Sequence, residues 1–503
     1  MTAVPPDDLI SRIDLALGSD PRFAGAPAIE ARNLARYRLG LRILAGHHPH
    51  AADRLERLSR AGDDELRPVM YDPVLRNAFE NDLTALEAGK GPTDALAGYL
   101  ASGAADPAAG RLDGLGPCER LSRPHVRPWP RHAASWVWTD LDAGAGPQQA
   151  LTARLEALLA GTLSKDGSGT RVTPDAALTA ALGRAADLLT ALLPRTGAGV
   201  LPHVSLVGFA RYDNGEETLN SISGGDPLPS ALFLAPERMD DPWTAAETLF
   251  HEGLHLKLFD VLRTGSLVAD PDRLVPIPWR TRSWTLTRVL FAMHVYAHLL
   301  LFRAAAAEAG PGLRSRYGPP PATEDVDRAT PGSEAAARGG YTTSLERVTY
   351  LARQAAEVHG GVLTAEGRAF VGWLIGAVTP LAPGILSEGG PVASPPAAVP
   401  AGMVAADAVA AGAEMEPRGY RQARPVQVCP IPEQRRLVAV SPGTSRFRWL
   451  NDHAWLIYAL CDGRDLAALR AGYLRAAGQD ADERLRLGLA DLLSAGLIEP
   501  VGT

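Results

Sequence analysis

The chain has 503 residues, 46% of them hydrophobic and 21% charged, enough for two to four domains at roughly 100–200 residues each. Lys plus Arg total 50 against 57 Asp plus Glu, a net charge of −7, so no cationic excess points to nucleic acid or an anionic membrane as partner. The three cysteines, Cys118, Cys429 and Cys461, share no CxxC spacing, which excludes a disulfide framework and a zinc–cysteine cluster and suits a reducing cytoplasm. The N-terminus, MTAVPPDDLISRIDLAL, carries acids where a signal peptide has a basic start. The longest apolar stretch, Val289 to Ala307, is interrupted by His294, His298 and Arg303. A cytoplasmic protein with no membrane partner is expected.

Residues 1–200 carry helical periodicity, as in IEARNLARYRLGLRIL and DPVLRNAFENDLTALEAG, and are read as the helical N-terminal part of a catalytic region. Arg123 to Gly144, rich in Pro, Trp, His and Arg, interrupts the pattern and admits a strand. From Val204, VSLVGFARY and SALFLAP predict two strands separated by SISGGDPLP. A helix then starts near Asp241, with Pro242 just inside it, and runs through HEGLHLKLFDVL. After the Pro-rich DPDRLVPIPWRTR comes a second strong helix, WTLTRVLFAMHVYAHLLLFRAAAAEA.

Residues 310–340 predict a loop and Thr342 to Glu357 a further helix, closing a catalytic core of 201–381. The stretch 382–420 is dominated by Ala, Pro and Gly and reads as an interdomain linker. Residues 421–503 show about three short strands followed by three helices, the size and pattern of a small winged-helix α+β domain. The expected fold class is therefore mainly α with a small β component: a helical catalytic region built on an HExxH metal helix, plus that C-terminal domain.

His251, Glu252 and His255 stand in HEGLH. A helix turns 100° per residue, so imidazoles four apart project from nearly one face, where one cation reaches both nitrogens. Glu252 is placed to hold a metal-bound water or shuttle a proton. A chance HExxH in a chain of this composition is on the order of a one-in-a-hundred event.

The third ligand is less direct. Leu258 and Val261 occupy the Gly and His positions of the extended HExxHxxGxxH form, and no Glu occurs between Gly253 and Ala307. Asp260 lies about 140° around the helix from His255 and points away. His294 on the next helix is the best candidate, with His298 and the loop carboxylates Asp270 and Asp272 still open. In PWRTR, Arg280 and Arg282 would grip a small dicarboxylate bidentately; exposed loop arginines are the plain alternative.

TLFHEGLHLKL, PIPWRTR and VLFAMHVYAHLL together resemble the HExxH-type peptide β-hydroxylases found beside ribosomally made peptides, over about Leu201 to Leu301. The resemblance implies an Fe(II)- and 2-oxoglutarate-dependent dioxygenase, with O2 as the other cosubstrate and iron held by His251, His255 and His294. It carries the arginine for 2-oxoglutarate over less directly. Three histidines depart from the two-His-one-carboxylate pattern of most such oxygenases, which keeps Asp270 and Asp272 in view.

RFRWLNDHAWLIYALCDGRDLAAL and the terminal LLSAGLIEP are similar to PqqD-like leader-peptide recognition elements, which implies a precursor peptide bound through its leader as an added strand. Residues 421–503 hold 11 Arg and no Lys against 9 Asp plus Glu, a net of +2, weak for a DNA reader. The expectation is an enzyme of ribosomal-peptide biosynthesis that β-hydroxylates a precursor's side chains. Its rivals are a Zn(II) metallopeptidase in which Glu252 activates water, and a non-catalytic peptide- or DNA-binding regulator.

Overall fold

The computed structural model describes residues 6–87, 168–213, 221–322, 332–383, 417–424, 446–477 and 482–501, with shorter stretches between them. Cys118, most of Arg123 to Gly144 and residues 386–416 of the expected linker lie outside the described residues. The protein is mainly helical with small sheets. The chain divides into two compact units: Met1–Glu30, Asp64–Asn77 and Tyr99–Pro395 in the first, Ala31–Asp63, Ala78–Gly98 and Pro396–Thr503 in the second. The N-terminal helical stretch thus contributes to both.

The first unit contains α1 (Pro6–Ser19), β1 (Trp136–Val137), β2 (Ser168–Val172), α2 (Ala176–Leu192), β3 (Leu206–Asp213), β4 (Thr218–Leu219), β5 (Ser221–Ser223) and β6 (Ala231–Leu234). These are followed by α3 (Pro242–Leu262), α4 (Leu286–Ala307), α5 (Ser344–Arg353) and α6 (Ala365–Val378). The strands form one mixed sheet in the order β1-β3-β6-β5, with β2 and β4 also paired antiparallel to β3. β3 and β6 run parallel, Val207 opposite Leu232 and Phe209 opposite Leu234. The segment SISGGDPLP, expected to be a separator, opens with β5, which pairs back on β6.

α3 begins where its residues dictate. The Asp241 carboxylate accepts from the Thr244 N–H at 2.7 Å, and Pro242 occupies a position whose missing N–H costs nothing. Packed among α2, α4, β5 and β6, it is buried on most of its circumference, which is why it lacks the one-sided apolar stripe of a surface helix. Gly253 in HEGLH packs closely on Val200: a Cβ there would sit 3.2 Å from the valine side chain, which would have to give by a few tenths of an ångström.

α4 packs against α1, α3, α5 and α6. It is the one described helix long and apolar enough to cross a membrane by length and composition, and 78% of its most apolar window is buried inside the protein. The expected loop 310–340 instead contains two short helices, Pro311–Tyr317 and Glu334–Arg338. The second is capped by Ser333, whose hydroxyl accepts from the Ala336 N–H, a local signal outweighed in the sequence by the surrounding Gly and Pro.

In the second unit, strands Gln427–Ile431, Arg436–Val440 and Phe447–Leu450 form an antiparallel sheet. A further sheet joins Asp462–Asp465, Gly419–Gln422 and Ile498–Val501. Helices Asp452–Leu460, Leu466–Ala477 and Asp482–Ser494 complete the segment. The order is four strands, a helix, a strand, two helices and a strand, so the strands bracket the helices instead of only preceding them. Leu437, Ala439, Ile457, Leu469, Tyr473 and Leu485 supply its core.

Candidate metal centre

The helical spacing does what it predicted for the first two histidines. On α3 the rings of His251 and His255 lie 5.1 Å apart between centroids. The Glu252 carboxylate, buried, stands 3.9 Å from His251 Nε2 and accepts a hydrogen bond from Ser221 Oγ at 2.7 Å. Ser221 comes from β5, the strand that lies against α3. His255 packs against Phe291 of α4, ring centroids 5.8 Å apart, and Phe291 in turn against Phe259 at 4.6 Å.

His294 and His298, on α4, are 1% and 0% exposed. His298 Nδ1 donates to the His294 carbonyl at 2.8 Å, the bond expected of a core histidine turned back onto its own helix. His294 is different, because neither of its ring nitrogens has a hydrogen-bond partner. Its ring lies among Phe370, Trp373 and His298. Among the described residues, no group of three or more His, Cys, Asp or Glu side chains is gathered as a set that could hold a metal ion. The structure brings His251 and His255 together, and His294 does not complete a triad with them.

Burial decides the charge states. It lowers His255 well below the ordinary imidazole value, with His251 and Arg288 adding to the effect. Burial likewise lowers His294 well below that value, reinforced by His298, Lys257 and His255. For His298, burial and then Lys257 bring the value to about 3, against the opposing pull of the His294 and Leu17 backbones. Lys257, on α3, is fully buried with no partner at Nζ, and burial lowers it to about 7 despite the nearby Asp14. Imidazoles held neutral keep a lone pair free for a cation.

The remaining candidates are dispersed. Asp270 is half-buried and accepts from Arg273 at 3.2 Å, and Asp272 is exposed. Arg282 is exposed and Arg280 half-buried. Their neighbour Trp279 is fully buried in an aromatic cluster with Trp284, Tyr341 and Tyr350, with the Arg347 guanidinium 5.2 Å from its ring centroid.

Asp260, which the spacing turned away from His255, anchors the far side of α3. It is ion-paired with Arg76 and accepts from His203 Nδ1 at 2.6 Å, all three buried. Burial alone would raise Asp260, and Arg76 with His203 overcome it, so its value falls below the usual carboxylate range. Ser221 and this network escaped sequence reasoning. The only local hint for Ser221 was a hydroxyl on a short strand preceding the metal helix.

No protein-family model matches the chain, and no curated protein sequence matches it significantly.

Proposed function

We propose that this protein is an iron- and 2-oxoglutarate-dependent oxygenase that β-hydroxylates side chains of a ribosomally synthesised precursor peptide, docking the precursor's leader on the winged-helix, PqqD-like segment 421–503. The observation that carries the reading is a pairing on two packed helices: His251 and His255 side by side next to Glu252, and His294 buried with neither nitrogen hydrogen-bonded. A buried polar group without a partner calls for a ligand or water. The α3 imidazole pair offers two of the ligands of a mononuclear metal of the kind imidazole favours. His251 and His255 would hold it; His294, which is not gathered with them, would have to shift to join as the third ligand, and has no hydrogen bond to surrender in doing so.

Iron, when bound, supplies O2 activation coupled to decarboxylation of 2-oxoglutarate to succinate and CO2, one oxygen atom going to the peptide. The chain's own residues do the rest. Glu252, oriented by Ser221, holds a water or moves a proton beside His251. Phe291 and Phe259 keep bulk water from the His255 side. Arg280 or Arg282 offers the guanidinium for the distal carboxylate of 2-oxoglutarate. Leader docking makes presentation of the modified residue effectively intramolecular. The choice of oxygenase over peptidase rests on the resemblance of the HEGLH, PWRTR and HVYA segments.

The test is anaerobic reconstitution with Fe(II), followed by O2, 2-oxoglutarate and a precursor peptide encoded beside this protein. Succinate release with a peptide heavier by one oxygen atom supports the reading, and Arg280→Ala or Arg282→Ala should then raise the 2-oxoglutarate requirement. Cleavage of the peptide by the zinc form without O2 or 2-oxoglutarate, abolished in Glu252→Gln, would replace it with a peptidase. Tight, salt-sensitive binding to duplex DNA without turnover would replace it with a regulator.

A further inference from the structure

A cavity of about 230 Å³ opens between α3, α4 and the segment that follows α3. Leu258 and Leu262 of α3, Leu290 and Phe291 of α4, and Leu267 and Val268 form most of its wall, and none of its lining residues is charged. His255, Leu258 and Leu262 follow one another at i, i+3 and i+7, so the cavity continues the helix face that carries the histidine pair. Phe291 is common to both: it lines the cavity and packs on the His255 ring at 5.8 Å.

The wall decides what the cavity takes. A dianion such as 2-oxoglutarate would shed its hydration there with no cation to replace it. Water needs two to four polar partners, and the only side-chain polar groups among the described residues of the wall are the hydroxyls of Ser266, which donates to the Val268 carbonyl at 2.8 Å, and Thr287. An apolar protein cavity of about 150 Å³ admits a benzene ring, so this one has room for a leucine or phenylalanine side chain.

We propose that the cavity is a side-chain subsite for the peptide substrate, taking one large apolar side chain, of leucine or phenylalanine size, next to the residue presented to His251 and His255. The identity of the ligand as a peptide rests on the function proposed above. The preference for a neutral, apolar side chain rests on the wall alone.

The test uses the full chain without metal, titrated with N-acetyl-leucine amide, N-acetyl-phenylalanine amide, N-acetyl-alanine amide and N-acetyl-glutamate amide, followed by ligand-observed NMR. The leucine and phenylalanine amides should bind about tenfold or more tightly than the alanine amide, and the glutamate amide more weakly still. Thr287→Leu, which fills the cavity from its α4 rim, should cost the leucine amide about tenfold. Ser266→Leu, on the opposite rim, should do the same and serves if the first variant melts early by circular dichroism. Equal affinity for the leucine and alanine amides, or unchanged leucine-amide binding in a folded variant, overturns the subsite. Fe(II) binding is measured separately: a chain that selects the leucine amide but takes no iron overturns the metal reading and leaves the subsite standing. One that takes iron without selecting overturns the subsite alone.

Discussion

The helix pair α3–α4 and the segment 417–501 bury their side chains by different rules. In 417–501 the charged groups pair at the surface, as in Arg421–Glu499 and Arg470–Asp482, and the interior is aliphatic and aromatic. In α3–α4 an equally apolar interior also holds His294, His298, Lys257 and Asp260. Asp260 is fully answered by Arg76 and His203, whereas the nitrogens of His294 and Nζ of Lys257 have no partner. A core selected only for stability excludes titratable groups, because burying an unpaired one costs free energy. The contrast separates Asp260, an answered charge that anchors α3, from the nitrogens of His294, Nε2 of His298 and Nζ of Lys257, which are buried without a hydrogen-bond partner.

The comparison breaks first at the metal. His251→Ala and His255→Ala should each take Fe(II) from one per chain to nearly none after anaerobic reconstitution, read by metal analysis, with folding intact by circular dichroism. Stoichiometric iron in both variants would leave the unanswered nitrogens without their explanation.

Next in size is the answered charge. Asp260→Ala strands the buried Arg76 guanidinium and His203, and should cost about 3–5 kcal/mol in denaturant unfolding. A loss under about 1 kcal/mol would show that Asp260 anchors nothing.

Acid should find the helix pair before the surface pairs. His298 is lowered from 6.5 to about 3, so at intermediate pH the unfolded chain binds the proton that the folded chain refuses. Its contribution is complete above about pH 6.5 and is lost as pH falls toward 3, at about 1.4 kcal/mol per pH unit for one histidine. Denaturant melts across that window should show the slope, and His298→Phe should reduce it by the share of one histidine, leaving the part due to His255 and His294. A stability constant from pH 6.5 to 4.5 would contradict the assignment.

The smallest effect belongs to the other region. Arg421 and Glu499 form a 2.6 Å pair with side chains 62% and 43% exposed, so Glu499→Ala should change stability by less than about 1 kcal/mol and by still less in high salt. A larger loss would mean that the surface pairs of 417–501 carry more of its stability than their exposure allows.

Helix periodicity, the Asp241–Pro242 cap and HEGLH were legible because each is written within a few neighbouring residues, and so was the mainly helical class. The two short helices within 310–340 were missed because Gly and Pro around them outweigh a single serine cap. The mate of Glu252 was not legible: Ser221 lies 31 residues earlier and meets it only because β5 lies against α3. Asp260 was correctly turned away from His255, but nothing nearby announces Arg76, 184 positions earlier in the chain.

The sequence by itself determined which side chains share a helix face, since a turn of 3.6 residues is a local property of the backbone. Only the tertiary structure decided which of those side chains are answered. His294 and His298 are equivalent by spacing, yet His298 gives its Nδ1 proton to a carbonyl on its own helix while His294 is enclosed by Phe370 and Trp373 with both nitrogens bare. The cavity beside Phe291 likewise exists only where two helices and a loop meet. Hydrogen-bond satisfaction and empty volume are properties of packing between distant segments, and no local pattern of residues encodes them.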